Sequence, residues 1–374
     1  MLETPTLIIG AGPAGLAVAG RMRQAGLEFL VIEKSGRVGD SWHRHYERLH
    51  LHTVKQLSNL PGLPFPDHYP RYVPRQALAD YYAEYARTFS IDPIFGEEAS
   101  VILRSDGRWL TRTRRDLDIL SDNVVIATGL NRAPNRPSYQ DEDRFTGRLI
   151  HSREYRDPEP FAGESVLVVG MGNTGAEIAL DLSEAGVETT ISVRGPVNIV
   201  PRDVLSRPTQ LTARMLTRLP SELGDRLGSL LRKMTVGDLS PYGIATPELA
   251  PLAQLRMRGK TPVIDVGTVS RIKGGQIAVR PAIDRLDDDT VVFSDGTVER
   301  FDTVILATGY KPLLEELLAD GGDLLDERGL PRQVIAEGRR QGLFFVGFDN
   351  HRPSGILGTV VEESAVIVDR IRGV

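Results

Sequence analysis

The chain has 374 residues, 41% of them apolar, and a net charge of −5 with acids and bases mixed along its length. That length predicts two domains with ordinary cores, and that charge excludes nucleic acid as the main partner. The absence of Cys excludes disulfides, thiolate metal sites, Fe–S clusters and a thiol redox pair, so no metal is expected. No apolar run approaches the roughly 20 residues that span a bilayer. No leader pattern precedes the first strand, so a soluble, cytoplasmic protein is expected.

In chain order, "TLIIGAGPAGLAVAGRMRQAGLEFLVIE" comes first (residues 6–33). Its β-branched and apolar start reads as a buried parallel strand. Gly10, Gly12 and Gly15 follow at GxGxxG spacing. They serve the tight turn, the approach of a pyrophosphate and close helix–strand packing. Pro13 and Ala14 open a helix that tolerates the missing amide donor. A second strand ends in Glu33, about 20 residues after the glycines, where an acid binds ribose hydroxyls. A strand breaking at Ala127, Thr128 and Gly129 comes next, in "NVVIATGLNRAPNRP". "FTGRLIHSREY" (residues 145–155) reads as the crossover to a second domain.

"VLVVGMGNTGAEIALDLSEAGVETTISVR" then repeats the plan, with Gly170, Gly172 and Gly175 at the same spacing. Asn173 and Thr174 open the helix, and Asn173 is expected to cap it as well as meet the cofactor. The second strand here ends in Arg194 rather than an acid. A guanidinium pairs with a 2′-phosphate that a carboxylate would repel, which favours NADPH at this site and FAD at the first. The alternative is a solvated strand-end residue.

Residues 203–262 are long for a plain nucleotide domain and contain "LTARMLTRLPSELGDRLGSLLRKM", an amphipathic helical pair broken at Pro220. Substrate cover is the first expectation for it, with a dimer surface or a membrane-leaning face as alternatives. "DTVILATGYKPLL" ends another strand at Ala307, Thr308, Gly309 and Tyr310. "GLFFVGF" is a further buried strand, and "SGILGTVVEESAVIVDRI" a loop and helix whose N-terminus suits the electron-rich end of a flavin. The expected fold is α/β, with two Rossmann-like dinucleotide-binding domains, the NADPH domain inserted into a split FAD domain. The boundaries expected are 1–150, 151–298 and 299–374.

The chain resembles the class B flavin-containing monooxygenases. "FTGRLIHSREY" matches their FxGxxxHxxxY pattern at Phe145, Gly147, His151 and Tyr155. "YERLHLHTVKQLSNLPGLPFP", "YPRYVPRQALADYYAEYARTF", "GKTPVIDVG" and "ATGYKPLL" are similar to segments of the YUCCA-type branch. The resemblance implies that NADPH reduces FAD and that reduced flavin captures O2 as a C4a-hydroperoxide. This oxygenates a small organic substrate: an α-keto acid such as indole-3-pyruvate, or a nitrogen or sulfur centre. It also implies flavin-side positions at Trp42 and Ser41 and cofactor contacts at Lys34 and Val101. His52 stands where relatives carry Asn or His, as a catalytic donor to the peroxide or NADP+ or as a packed loop residue. His151 and Tyr155 are expected to shape the crossover rather than react. A reductase passing electrons to a carrier is the competing function. A homodimer is left open.

Overall fold

The computed structural model describes residues 1–319 and 321–373. The chain divides into two compact units. Met1–Arg44, Thr53–Ala133 and Tyr310–Val374 make one; His45–His52 and Pro134–Gly309 make the other.

The first unit opens with β1 (Leu2–Ile9), α1 (Pro13–Gln24) and β2 (Leu30–Glu33). Then come α2 (Arg75–Thr88), the short β3 (Ile94–Phe95), β4 (Ala99–Ser105), β5 (Arg108–Thr113) and β6 (Asp118–Ile126). The sheet runs β3-β2-β1-β6, all parallel, with β5 antiparallel on the first half of β6 and β4 antiparallel on β5. β1 is flanked on both edges, so Leu7, Ile8 and Ile9 are buried and read as an unbroken apolar run. α2 approaches α1 so closely that a Cβ on Gly20 would lie 2.1 Å from the Tyr85 hydroxyl.

The second unit holds β7 (Arg148–His151), β8 (Ser165–Val169), α3 (Asn173–Glu184) and β9 (Glu188–Ser192). Three helices follow, α4 (Thr209–Leu216), α5 (Ser221–Thr235) and α6 (Pro251–Arg258), then β10 (Ile277–Arg280) and β11 (Thr303–Leu306). Pro220 separates α4 from α5, as its missing donor demands. The sheet order is β10-β9-β8-β11-β7, parallel throughout. A three-stranded antiparallel sheet (Ile283–Asp287, Thr290–Phe293, Val298–Arg300) adds Phe293 to a core shared with Val304 and Leu306. The chain returns to the first unit with β12 (Leu343–Phe345), parallel to the second half of β6, and ends in α7 (Gly355–Arg372).

Both sheets are Rossmann-like: a glycine-loop strand at the centre, its βα partner on one side and an Ala-Thr-Gly strand on the other. Apart from the excursion at 45–52, the units change hands at residues 133/134 and 309/310, not at the expected 150/151 and 298/299. The reason is strand pairing. β7 and β11 hydrogen-bond to one another, and β11 to β8, so both belong to the second sheet.

Candidate dinucleotide sites

The two glycine loops have one geometry. Gly10 has φ +110°, and a Cβ there would sit 2.6 Å from the Ala127 carbonyl oxygen. Gly170 has φ +105°, with the Ala307 oxygen at 2.8 Å. Only glycine fits where the loop turns against the neighbouring Ala-Thr-Gly strand. At Gly15 and Gly175 a Cβ would meet the carbonyl oxygen of the loop's first glycine at 1.9 Å. Gly12 and Gly172 differ: their backbone is extended, and an added Cβ meets nothing within 4 Å. Each is the N-cap of its helix without a side-chain cap. The space in front therefore stays open, and the first-turn amides, those of Ala14 and Gly15 in one loop and of Asn173, Thr174 and Gly175 in the other, present the positive end of the helix dipole to it.

The residues present fit a dinucleotide at each loop. Added Cβ atoms on Gly129 and Gly309, past β6 and β11, also meet nothing within 4 Å. In the first unit the Thr128 hydroxyl is buried with no hydrogen-bond partner, the state expected of a group that meets a bound molecule. In the second, the Thr308 hydroxyl donates to the Asn135 carbonyl, and the Asn135 amide donates back to the Thr308 carbonyl at 3.1 Å. Ala307, Thr308 and Gly309 thus border the second loop, although their expected place was the returning half of the first domain. Tyr310 belongs to the first unit.

Around the first loop, Glu33 accepts from the Ala11 amide and from the Ser35 amide, both at 2.8 Å. The acid at the end of β2 braces the glycine turn and keeps lone pairs for further donors. Gly39 donates to the Ala11 carbonyl at 3.0 Å, which holds the 39–42 turn beside the loop. Within it Ser41 is exposed and Trp42 packs edge-on against Tyr82, ring centroids 6.5 Å apart. The Tyr82 hydroxyl is buried and unpartnered, and burial raises its pKa. Lys34 is exposed and Val101 half-buried in β4.

Around the second loop, Asn173 does not cap its helix. Its side-chain oxygen accepts from the Ile264 amide at 2.7 Å, tying the short strand Val263–Asp265, just after the insert, to α3. Arg194 is exposed two residues past β9 and acts electrostatically on Tyr139.

"FTGRLIHSREY" is the edge of the second sheet rather than a bridging crossover. Phe145 packs on the core of that unit, and a Cβ on Gly147 would strike its ring at 2.6 Å. His151 is buried at the end of β7. Its Nδ1 accepts from the Arg153 amide at 3.1 Å, which leaves Nε2 as the donor to the Gly309 carbonyl at 3.1 Å. Burial lowers its pKa, so the ring is held neutral. The Tyr155 hydroxyl donates to Asp181 on α3 at 2.8 Å, and burial pushes its pKa far up.

Segment 45–52 joins this network. Arg48 bridges Asp181 at 3.2 Å and Glu184 at 2.9 Å. His52 Nε2 lies 2.8 Å from Glu177 Oε1, outside hydrogen-bond geometry. His52 Nδ1 is buried and has no partner. Glu177 was not anticipated, although an acid amid the apolar run "AEIAL" could have signalled it. Nor was Glu363 on α7, a buried acid that accepts from the Gly347 amide at 2.8 Å.

The flavin-binding monooxygenase-like family model matches residues 5–321. Indole-3-pyruvate monooxygenase YUCCA1 of Oryza sativa subsp. japonica is 37% identical over 359 residues, covering 94% of this chain and 88% of that protein. Its namesake YUCCA6 of Arabidopsis thaliana is 37% identical over 363 residues, covering 94% and 87%. Among solved structures, the flavin-containing monooxygenase from Stenotrophomonas maltophilia superposes with TM-score 0.76 at 22% identity, covering 100% of this chain and 99% of that one. An oxidized steroid monooxygenase bound to NADP gives 0.74 at 19%, covering 99% and 84%. The bacillithiol disulfide reductase Bdr from Staphylococcus aureus gives 0.72 at 17%, covering 100% and 99%. These structural likenesses show the fold alone.

Proposed function

The chain belongs to the flavin-binding monooxygenase-like family, and from that premise we propose that it is an FAD-, NADPH- and O2-dependent enzyme that converts indole-3-pyruvate to indole-3-acetate. One oxygen atom enters the acid, the other leaves as water, and the original carboxyl leaves as CO2. The observation that carries the substrate is the 33–37% identity, spread over 93–97% of the chain, to relatives that are all named for indole-3-pyruvate.

When bound, FAD and NADPH supply hydride transfer and the reductive activation of O2. The protein's part is to bind, orient and exclude water. In this reading the first glycine loop seats the FAD pyrophosphate on the α1 amides, Glu33 meets its ribose, and Thr128 and the Trp42–Tyr82 pair line its path. The second loop seats NADPH on the α3 amides, with Arg194 on the 2′-phosphate. His52 offers its unpartnered Nδ1 as a polar contact there, with Glu177 beside the other ring nitrogen.

The test is a product assay. The FAD-loaded enzyme with NADPH, air and indole-3-pyruvate is expected to form indole-3-acetate and CO2, one for each NADPH consumed. NADPH consumption that ends in H2O2 without product would overturn the substrate assignment.

A further inference from the structure

We propose that the helical insert of the second unit seats the enzyme on an anionic phospholipid surface. The substrate cover expected for this segment does not account for the face that it turns to solvent. On α5, Leu223, Leu227, Leu230, Leu231 and Met234 are all exposed, Leu230 at 53% and Met234 at 76%. At 100° per residue they fall within a stripe about 100° wide along the whole helix.

The same helix packs on its neighbours through glycine instead. A Cβ on Gly224 would meet the Leu216 carbonyl oxygen of α4 at 2.7 Å, and one on Gly228 would touch Leu252 of α6 at 3.7 Å. Small residues thus face the fold and the large apolar ones face outward, with Met215 of α4 also 52% exposed. A soluble monomer gains nothing from such a stripe, which marks a surface that meets another phase or molecule.

Charge selects the occupant. Residues 202–260 hold ten Lys and Arg against five Asp and Glu, in a chain whose net charge is −5. Arg214 of α4, Arg218 in the turn after it, and Arg226 and Lys233 of α5 are exposed. An apolar stripe with a basic rim is the pattern of a helix lying in the plane of an anionic interface. A second copy of the chain fits less well, because a two-fold contact would set one basic rim against another. Among the described residues no helix is long and apolar enough to cross a membrane, so the seat is in-plane.

The test is cosedimentation of the FAD-loaded enzyme with vesicles. It is expected to bind phosphatidylserine–phosphatidylcholine vesicles, to bind phosphatidylcholine vesicles poorly, and to leave the former as salt rises. Arg226→Gln/Lys233→Gln should weaken binding roughly 25-fold, each cation near such a surface being worth roughly fivefold. Leu230→Glu/Met234→Glu should abolish it. Both pairs are exposed, so melting temperatures should match the parent; the charge pair leaves the apolar stripe intact and tests the idea independently. Equal affinity for both vesicle types, or no binding to either, would overturn the proposal. So would a concentration-dependent dimer, abolished by Leu230→Glu/Met234→Glu, in a protein that ignores vesicles.

Discussion

The His52–Glu177 contact allows two roles to be separated in one mutant series. Glu177 sits in the first half of α3 with its side chain 4% exposed, against 22% for His52. His52→Ala leaves that carboxylate without its nearest partner. Removing one member of a buried pair costs about 3–5 kcal/mol. Arg48 also feels the Glu177 charge and softens the loss, so about 2 kcal/mol is a fairer expectation. For a unit of this size that is roughly 4–8 °C in melting temperature. Glu177→Gln in the same chain removes the stranded charge, so His52→Ala/Glu177→Gln should recover most of the loss. The second readout is coupling, measured as H2O2 released against product formed per NADPH. If His52 only braces α3, the double mutant restores coupling together with stability. If its free Nδ1 donates at the reaction site, the double mutant melts normally yet still diverts electrons to H2O2. A His52→Ala protein with unchanged melting and unchanged coupling would refute both the energetic argument and the place of His52 in the site.

Arg194→Ala should raise KM for NADPH about ten- to a hundredfold and leave NADH nearly unaffected, since one charge-assisted contact is worth roughly 1.5–3 kcal/mol; equal effects on both nucleotides in steady-state kinetics would remove it from the phosphate. Gly12→Val should fold with its usual far-ultraviolet spectrum but purify without flavin colour, because an added Cβ meets no protein atom within 4 Å and would stand in the space proposed for the FAD pyrophosphate. Gly172→Val should stay yellow and lose NADPH-driven reduction, so a colourless Gly172→Val protein would exchange the two assignments. Glu363 tests pH dependence: burial raises its carboxyl from 4.5 to about 7. The folded state then holds a proton that the unfolded state has released, so this group's effect is a stability that falls as pH rises from 4.5 through about 7. The full penalty above that range is about 3 kcal/mol. Glu363→Gln should flatten that part of the melting-temperature profile and raise the melting temperature at pH 8; an unchanged profile would refute the buried-acid reading.

Those parts of the molecule whose steric demands are met within a few residues were legible in the sequence. A Cβ on Gly15 would strike the Gly10 carbonyl oxygen, and the six residues from Gly10 to Gly15 carry the whole motif. The break at Pro220 is equally local, and α4 and α5 end and begin around it. The division between the units was not legible, because it rests on which strand pairs with which. "NVVIATG" and "DTVILATG" look alike as strings, yet β6 lies beside β1 while β11 lies beside β8. Each Ala-Thr-Gly turn serves the glycine loop next to it. A reading that assigns both turns to one nucleotide leaves the other loop without its facing wall.

The same limit explains His52 and Asn173. From the sequence, Asn173 at the start of a helix is a cap, and His52 is a loop residue between two stretches of the first domain. In the structure Asn173 holds Ile264, and His52 meets Glu177. The partners lie 91 residues away in the first case, beyond any local pattern. Both contacts end on α3, as do those of Arg48 and Tyr155. That helix begins at the second glycine loop, so its seating sets the direction of the first-turn amides there, which the proposal gives to the NADPH pyrophosphate. A fingerprint such as "FTGRLIHSREY" can therefore be required for nucleotide binding although none of its side chains reacts. Gly147 lets β7 close on β11, His151 ties the Ala-Thr-Gly turn through Gly309, and Tyr155 anchors α3 through Asp181. Gly147, His151 and Tyr155 thus fix the Ala-Thr-Gly turn and α3, the two walls that border the second glycine loop.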